Sequence, residues 1–217
     1  MIEIGYIENG FKDKFGIPRQ SGRVNNLSKI VLNKEFASED ALRRIEEFSH
    51  LWLIFGFSKV EGKYSLVVRP PRLGGNEKVG VFASRSPFRP NNLGLSSVKL
   101  LRVEDGKNGK VLVVSGADLL DGTPVYDIKP YLPFTDCHED ATCGYAGEFV
   151  DYKLEVLGVE LLNDINADIK NDIIACLSED PRPSYQTDED RVYAMDYSGV
   201  NVKFKVKENT LIITEVK

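Results

Sequence analysis

The 217-residue sequence predicts a mainly β protein, with a β-barrel or strongly curved sheet in residues 1–150 and a small α+β domain in residues 151–217. Short apolar or alternating segments recur through the first 150 residues, separated by loops rich in glycine and proline. Only one helix is expected among them. No GxGxxG motif follows a strand to open a helix, so a Rossmann-type nucleotide site is not indicated. These observations together favour a barrel.

The first unit is expected to contain seven strands. They are Ile2–Ile7, Lys29–Leu32, Leu51–Phe57, Tyr64–Val68, Val79–Ala83, Leu95–Val103 and Val111–Gly116. Ser38 is a suitable N-cap for a helix over Glu39–Phe48. Acidic residues in the first turn of that segment would also favour a helix. The turn-rich stretch DGKNGK at Asp105–Lys110 is typical of a connection between two strands.

The pattern loosens around Pro130–Phe149, and the second unit is predicted to begin near residue 150. A helix is expected over Ala167–Leu177, because its isoleucine and leucine side chains fall on one face. A further strand is expected at Tyr152–Leu157. A small antiparallel sheet is expected from Val192–Tyr197, Val202–Val206 and Leu211–Thr214.

Charge is distributed unevenly along the chain. Residues 1–110 contain 19 Lys/Arg and 12 Asp/Glu, a net charge of +7, whereas residues 111–217 contain 9 and 21, a net charge of −12. A basic first half attracts phosphate while the whole chain, at −5, stays acidic. A chance drift of surface charge explains the same numbers, so charge alone makes a nucleic-acid partner possible and no more.

Composition excludes several classes of protein. No apolar run approaches the roughly 20 residues that span a bilayer, and the N-terminus lacks the basic and apolar regions of a secretory signal. Three cysteines are an odd number and do not suggest a disulfide framework, so a cytoplasmic protein without a membrane partner is expected. Cys137, His138 and Cys143 offer only three ligands at no recognised spacing, so no metal site is expected. The absence of GxSxG and Walker A motifs argues against a serine hydrolase and an ATP-dependent kinase.

Five segments place polar side chains on loops stiffened by proline or opened by glycine. They are IPRQSG at Ile17–Gly22, VRPPRLGGN at Val68–Asn76, GVFASRSPFRPNNLGL at Gly80–Leu95, GADLLDGTPV at Gly116–Val125 and DPRPSY at Asp180–Tyr185. Taken singly, four of them are explained equally well as turns or polar surface loops. The segment Gly80–Leu95 is different, because two arginines and two asparagines lie within eight residues beside a strand. We therefore expect a binding function there.

Taken together, the motifs resemble those of the TsaA-like (YaeB/TrmO) tRNA N6-methyltransferase family. The five segments occur in the family's order, and FSHLWLIFGF at Phe48–Phe57 matches as well. The resemblance runs from Ile4 to Tyr185 and is specific as a combination. It implies a homodimeric enzyme with a β-barrel core, unlike the Rossmann methyltransferases, and a cofactor site near the subunit interface. The implied reaction uses S-adenosyl-L-methionine (SAM) to methylate N6 of N6-threonylcarbamoyladenosine (t6A) at position 37 of threonine tRNA, giving m6t6A.

The resemblance also implies the site residues. Cofactor contacts fall on Pro18, Arg19, Gln20, Ser58, Lys59, Arg85, Leu95, Asp118, Leu119, Leu120 and Asp121. Many family members have a His-Gln pair where this chain has Ser58 and Lys59, so contacts at that point must change or use the backbone.

The reaction assigns roles to further residues. The target nitrogen carries a carbonyl group and is a weak nucleophile until it loses a proton, which calls for a general base. Asp180 and Tyr185 are the candidates, with Arg182 steadying developing charge or holding the threonyl carboxylate. The anticodon loop is single stranded, and residues expected to contact it are Arg69, Arg72 and Arg89. DNA is not expected as a partner.

Two alternatives remain open from the sequence. One is a SAM-dependent methyltransferase of the same fold that acts on another RNA or on a small molecule. The other is a non-catalytic protein that binds SAM or RNA. Methyl transfer to tRNA with and without the threonylcarbamoyl group separates the first from the expected activity, and SAM binding without methyl transfer identifies the second.

Overall fold

A computed structural model describes residues 1–60, 64–183, 185–186 and 188–217. The strands within these ranges are β1 Gly5–Asn9, β2 Leu27–Leu32, β3 His50–Gly56, β4 Val67–Val68, β5 Val79–Gly80, β6 Leu93–Gly106, β7 Gly109–Ser115, β8 Pro124–Pro130, β9 Glu155–Leu157, β10 Tyr193–Tyr197, β11 Val200–Lys207 and β12 Thr210–Val216. The α-helices are α1 Pro133–Asp136 and α2 Ala167–Ser178. Short 3-10 helices occur at Ile45–Glu47, Pro71–Leu73, Val81–Ala83, Gly144–Phe149 and Val159–Leu162. The prediction of a mainly β protein is confirmed.

Six antiparallel strands close into a barrel in the order β1-β2-β7-β6-β3-β8, and β1 pairs with both β2 and β8. Alternate residues of each strand point inward, so the interior fills with apolar side chains. Ile7, Ile30, Leu53 and Leu112 are fully buried there. Strand β8 was not among the expected strands. The barrel closes through it, with Gly5 facing Val125.

The helix expected over Glu39–Phe48 is wrong. The segment forms turns and the 3-10 helix Ile45–Glu47, and Ser38 Oγ accepts a bond from the Ala41 backbone N–H at 3.2 Å. The three apolar side chains that pack on the barrel, Leu42, Ile45 and Phe48, recur every three residues. That spacing fits three residues per turn better than 3.6, and the remaining exposed residues supply no apolar face to stabilise an α-helix.

Two expected strands are much shorter than predicted. Within Tyr64–Val68 and Val79–Ala83, only β4 and β5 form, and each strand has two residues. After β5 the chain continues into the 3-10 helix Val81–Ala83. The ladder is short because residues 64–67 are exposed and have no apolar layer to cover. This region therefore consists largely of surface loop.

The second unit packs α2 against a four-stranded sheet in the order β10-β11-β12-β9. The antiparallel pairing of β10, β11 and β12 and the helix are confirmed, and β9 joins β12 in parallel. Asn166 caps the helix by accepting a bond from the Asp168 backbone N–H at 2.9 Å. Ile173 of α2 and Phe204 of β11 are fully buried in the shared core.

The loop between β1 and β2 joins the two units. Phe11 and Val24 lie at its ends, and both are buried in the core of the second unit. The Phe11 ring lies 4.8 Å from that of Tyr197, whose hydroxyl donates to Asp172 Oδ2 at 2.6 Å. Because its ends are buried in this way, the loop is held against the C-terminal unit. No helix among the described residues is long and apolar enough to cross a membrane.

Candidate functional site

Three segments that are far apart in the sequence meet at Gln20, Arg85 and Asp118. Arg85 donates a hydrogen bond to the Gln20 side-chain oxygen. Ser96 Oγ of β6 donates to Asp118 Oδ1 at 2.6 Å. Burial raises the pKa of the Asp118 carboxyl above its usual value, although the Ser96 hydroxyl and the charge of Arg85 act in the opposite direction. The site thus combines a cation, an amide and a partly desolvated carboxylate.

The turn that follows Asp118 is fixed by its own side chains. Asp121 pairs with Lys12 at 2.6 Å and accepts the Asn9 backbone N–H at 2.9 Å. Leu119 is buried in the barrel core, and its carbonyl accepts Asn9 Nδ2 at 2.8 Å. Leu120 is half-buried. A ligand at this turn can therefore use the Asp118 side chain, whereas the Leu119 carbonyl, the Asp121 backbone N–H and the Asp121 carboxylate are engaged within the chain.

Arg19 links the predicted cofactor loop to the DPRPSY segment. Its Nη2 donates to the carbonyl oxygens of Asp180 at 3.3 Å and Arg182 at 2.6 Å. Burial, and next the like charge of Arg72, lower the pKa of Arg19. Its Nε is buried and has no hydrogen-bond partner among the described residues. Arg19 therefore holds the loop and keeps one donor open, while its neighbour Pro18 is buried.

Asp180 and Arg182 form an almost fully buried ion pair, with side chains 6% and 11% exposed. Arg182 Nε donates to Asp180 Oδ1 at 2.9 Å, and Nη2 donates to Oδ2 at 3.1 Å. The Tyr152 hydroxyl adds a bond to Oδ2 at 2.9 Å, and the Arg182 backbone N–H adds one to Oδ1 at 3.2 Å. Although burial opposes its charge, pairing with Asp180 raises the pKa of Arg182 above its usual value. Both oxygens of Asp180 are engaged.

The VRPPRLGGN loop packs against the same region through Arg72 and Gly75. Arg72 lies over the ring of Tyr152, with its Cζ 4.6 Å from the centroid, and donates to the Glu179 carbonyl at 3.0 Å. Gly75 has φ +71°, and a Cβ there would lie 2.9 Å from Cδ1 of Tyr185. Tyr185 is 58% exposed, and Ser184 beside it lies outside the described residues. The Arg72 side chain is thus engaged in joining segments.

The two remaining arginines predicted to contact RNA differ from each other. Arg89 donates to the carbonyls of Val81 at 3.0 Å and Ser84 at 2.7 Å, so it organises its own loop. Arg69 is exposed, and the described part of the chain offers it no hydrogen-bond or ion-pair partner. Among the described residues, Arg69 is therefore the one of the three predicted RNA contacts whose guanidinium has no partner.

The other predicted cofactor residues lie at the edge of this region. Leu95 is 56% exposed and pairs with Ile54 on the outer face of the barrel, on the opposite side of β6 from Ser96 and Asp118. It lines a cavity of about 370 Å³ together with Trp52, Ile54, Lys129, Thr135, Asp136 and His138. The Lys59 carbonyl accepts a bond from Lys14 Nζ at 3.2 Å, and Ser58 precedes it on an exposed turn.

Sequence reasoning missed three residues that shape the site. Ser96, Tyr152 and Glu179 hold Asp118, Asp180 and Arg72 through the contacts given above. A serine facing the interior of an apolar strand is a usable signal for the first. Cys137 and Cys143 are exposed, Cys176 is buried, and no cluster of three or more potential metal ligands occurs among the described residues.

Two family models match the chain. The model described as tRNA-methyltransferase O N-terminal domain matches residues 6–137, and the model described as TrmO C-terminal domain matches residues 155–217. Both contribute residues to the region built above.

Curated proteins and solved structures agree with these models. The chain is 38% identical to a tRNA (adenine(37)-N6)-methyltransferase of Escherichia coli, over 95% of this chain and 92% of that protein. It is 43% identical to the putative S-adenosylmethionine-dependent methyltransferase RcsF of Pseudomonas aeruginosa, over 86% and 83%. The crystal structure of TrmO from Pseudomonas aeruginosa superposes with a TM-score of 0.77 at 32% identity, over 99% of this chain and 97% of that one.

Proposed function

We propose that this chain, which belongs to the TrmO family, methylates N6 of t6A at position 37 of threonine tRNA and so produces m6t6A. The coarser activity follows from its relatives. It is a tRNA (adenine-N6)-methyltransferase that uses SAM, because proteins with that activity align with nearly its whole length. The choice of t6A and of threonine tRNA is the proposal.

The residues at the convergence of the three segments fit SAM. The guanidinium of Arg85 and the amide of Gln20 suit a carboxylate, and Asp118 suits an ammonium or ribose hydroxyl. The buried, unpartnered Nε of Arg19 is the kind of donor that a bound group satisfies. When bound, SAM supplies an activated methyl group, and the chain's task is to orient donor and acceptor.

Within DPRPSY we divide the roles between positioning and contact with substrate. The side chains of Asp180 and Arg182 are paired with each other, and the backbone carbonyl groups of both residues accept hydrogen bonds from Arg19. We therefore assign them a positioning role. Tyr185 presents its side chain to solvent beside Gly75 and is the group of the motif available to a substrate. We therefore propose Tyr185 as the residue that meets the modified base, where its hydroxyl takes up the N6 proton while releasing its own proton to solvent water.

We further propose that the barrel in residues 1–150 is the catalytic domain, a non-Rossmann methyltransferase core, and that residues 151–217 form the second domain. The enzyme is proposed to work in the cytoplasm as a homodimer. Its anticodon-loop contacts include Arg69, whereas Arg72 and Arg89, which bond to carbonyl groups of the chain, contribute their positive charge from where they are held.

The observation that carries the proposal is the meeting of Gln20, Arg85 and Asp118 beside the loop held by Arg19. The test uses purified protein, SAM with a labelled methyl group, and threonine tRNA isolated from cells with and without the threonylcarbamoyl modification. We expect label only in the modified tRNA, and in its t6A nucleoside. Equal labelling of both tRNAs, or labelling of neither, contradicts the proposal.

A further inference from the structure

Aromatic side chains project from the loops beside the candidate site. Phe82 is 76% exposed, Tyr64 60% and Phe88 49%. Exposing large rings to water is unfavourable, so a group of them marks a binding surface. We call this group, with its arginines, the aromatic–arginine surface, and its members are Tyr64, Leu66, Phe82, Phe88, Arg85 and Arg89.

Backbone bonds bring together the two segments that carry these residues. The Ser65 N–H donates to the Phe88 carbonyl at 3.2 Å, and the Val81 N–H donates to the Leu66 carbonyl at 3.0 Å. The Arg89 guanidinium lies 5.8 Å from the Phe82 ring centroid while it holds the Val81 and Ser84 carbonyls. Hydrogen bonds thus connect the segments 64–67 and 81–89, and Phe82 lies on a loop whose backbone is held by Arg89.

The aromatic–arginine surface is continuous with the candidate cofactor site through Arg85. This residue follows Phe82 by three positions and binds Gln20, and its charge acts on Asp118. From the other side, the Tyr145 hydroxyl donates to the Ala83 carbonyl at 3.1 Å and supports the same loop. A molecule on this surface therefore lies next to the candidate cofactor site.

The chemistry of the surface fits unpaired bases better than any other occupant. Every base has a π-face that stacks on an aromatic ring, and arginine attracts the connecting phosphates. An anticodon loop supplies such bases, whereas a duplex keeps them stacked and presents phosphates alone. A second copy of this chain is the competing occupant, and the sedimentation measurement described below distinguishes it from RNA.

We propose that the aromatic–arginine surface is a stacking platform for the unpaired bases that flank the target adenosine, with Phe82 as its main contact and Phe88 as a second. The inference rests on the proposed function, because it requires a single-stranded tRNA substrate. It adds the means by which the loop is opened and held while the target base enters the site.

The test compares Phe82→Ala, Phe82→Leu and Phe82→Tyr with a matched control, Phe134→Ala. Phe134 is 86% exposed and lies in α1, outside the surface. Binding is measured by fluorescence anisotropy with a labelled anticodon stem-loop RNA, and SAM affinity and thermal unfolding are recorded for every variant. Removing a stacked ring is expected to weaken RNA binding by about 5- to 150-fold. Phe82→Leu should lose most of that affinity, Phe82→Tyr should retain it, and SAM affinity and unfolding should match Phe134→Ala.

Several results overturn the inference. Equal RNA affinities for Phe82→Ala and Phe134→Ala do so, and so does full retention by Phe82→Leu, since leucine is apolar but cannot stack. Conversion of a wild-type dimer to a monomer by Phe82→Ala in sedimentation, with RNA affinity unchanged, would show that a second copy occupies the surface. In each case methyl transfer by the wild type remains intact, whereas failure of the proposed function removes methyl transfer from wild type and variants alike.

Discussion

Replacing Arg182 with methionine isolates the effect of the ion pair at the centre of the DPRPSY segment. The change removes two side-chain bonds to Asp180 and leaves a carboxylate that is 6% exposed with the Tyr152 hydroxyl and one backbone N–H. Breaking one partner of a buried pair costs about 3–5 kcal/mol, because the remaining charge stays desolvated. For a chain of this length, that loss lowers the unfolding temperature by roughly 6–20 °C.

Urea and thermal unfolding followed by circular dichroism measure this cost. The control is Arg44→Met, which breaks a pair whose side chains are 74% and 56% exposed and should leave the midpoint unchanged. Adding Asp180→Asn to Arg182→Met should restore part of the stability, because the unpaired buried charge of Asp180 is then removed. SAM affinity should fall as well, because without the ion pair the Asp180 and Arg182 carbonyl groups are no longer held in place to bind Arg19. If Arg182→Met is as mild as Arg44→Met, the structural role of the pair is refuted.

Two further predictions concern the glycine loop and the buried carboxyl. Gly74 and Gly75 both have φ near +70°, but only Gly75 has Tyr185 in the way of a Cβ. Both Gly74→Ala and Gly75→Ala carry a backbone strain of about 1–2 kcal/mol. Thermal unfolding should show Gly75→Ala to be the more destabilising of the two. Equal losses of stability would contradict the Tyr185 contact. Burial raises the pKa of Asp118 in the folded state, so its contribution to stability is present at low pH and is lost as pH rises through the folded pKa. Asp118→Asn should match wild type in acid and be more stable at neutral pH, while binding SAM more weakly by calorimetry; a neutral-pH loss of stability would contradict this.

Local patterns predicted the elements whose stability is local or whose apolar residues have a clear period. Helix α2 has a capping asparagine and one apolar face, and its predicted and observed bounds differ by one residue. Strand β8 was not predicted because Asp127 and Lys129 interrupt its apolar residues and a proline lies at each of its ends. Closure of the barrel nevertheless requires this strand. The segment Glu39–Phe48 was wrongly predicted to be an α-helix because, over so short a span, apolar residues spaced by three resemble the 3.6-residue repeat of an α-helix.

The candidate site shows the same division between local and distant information. The motifs brought Arg85 and Asp118 into one prediction through resemblance, although only the folded chain brings Arg85 to Gln20 and its charge near the Asp118 carboxyl. The pairing of Asp180 with Arg182 is local, two residues apart, and the Tyr152 hydroxyl reaches it from 28 residues away. No sequence pattern predicts that third contact, since it depends on how the second unit folds back.

A crystal structure of the chain with SAM tests most directly whether the cofactor lies where the three segments converge. The amino-acid end of the molecule is expected within hydrogen-bond distance of Arg85 and Asp118, with Gln20 alongside. Density for SAM away from these three residues, for instance only in the cavity between Trp52 and Lys129, would contradict the assignment.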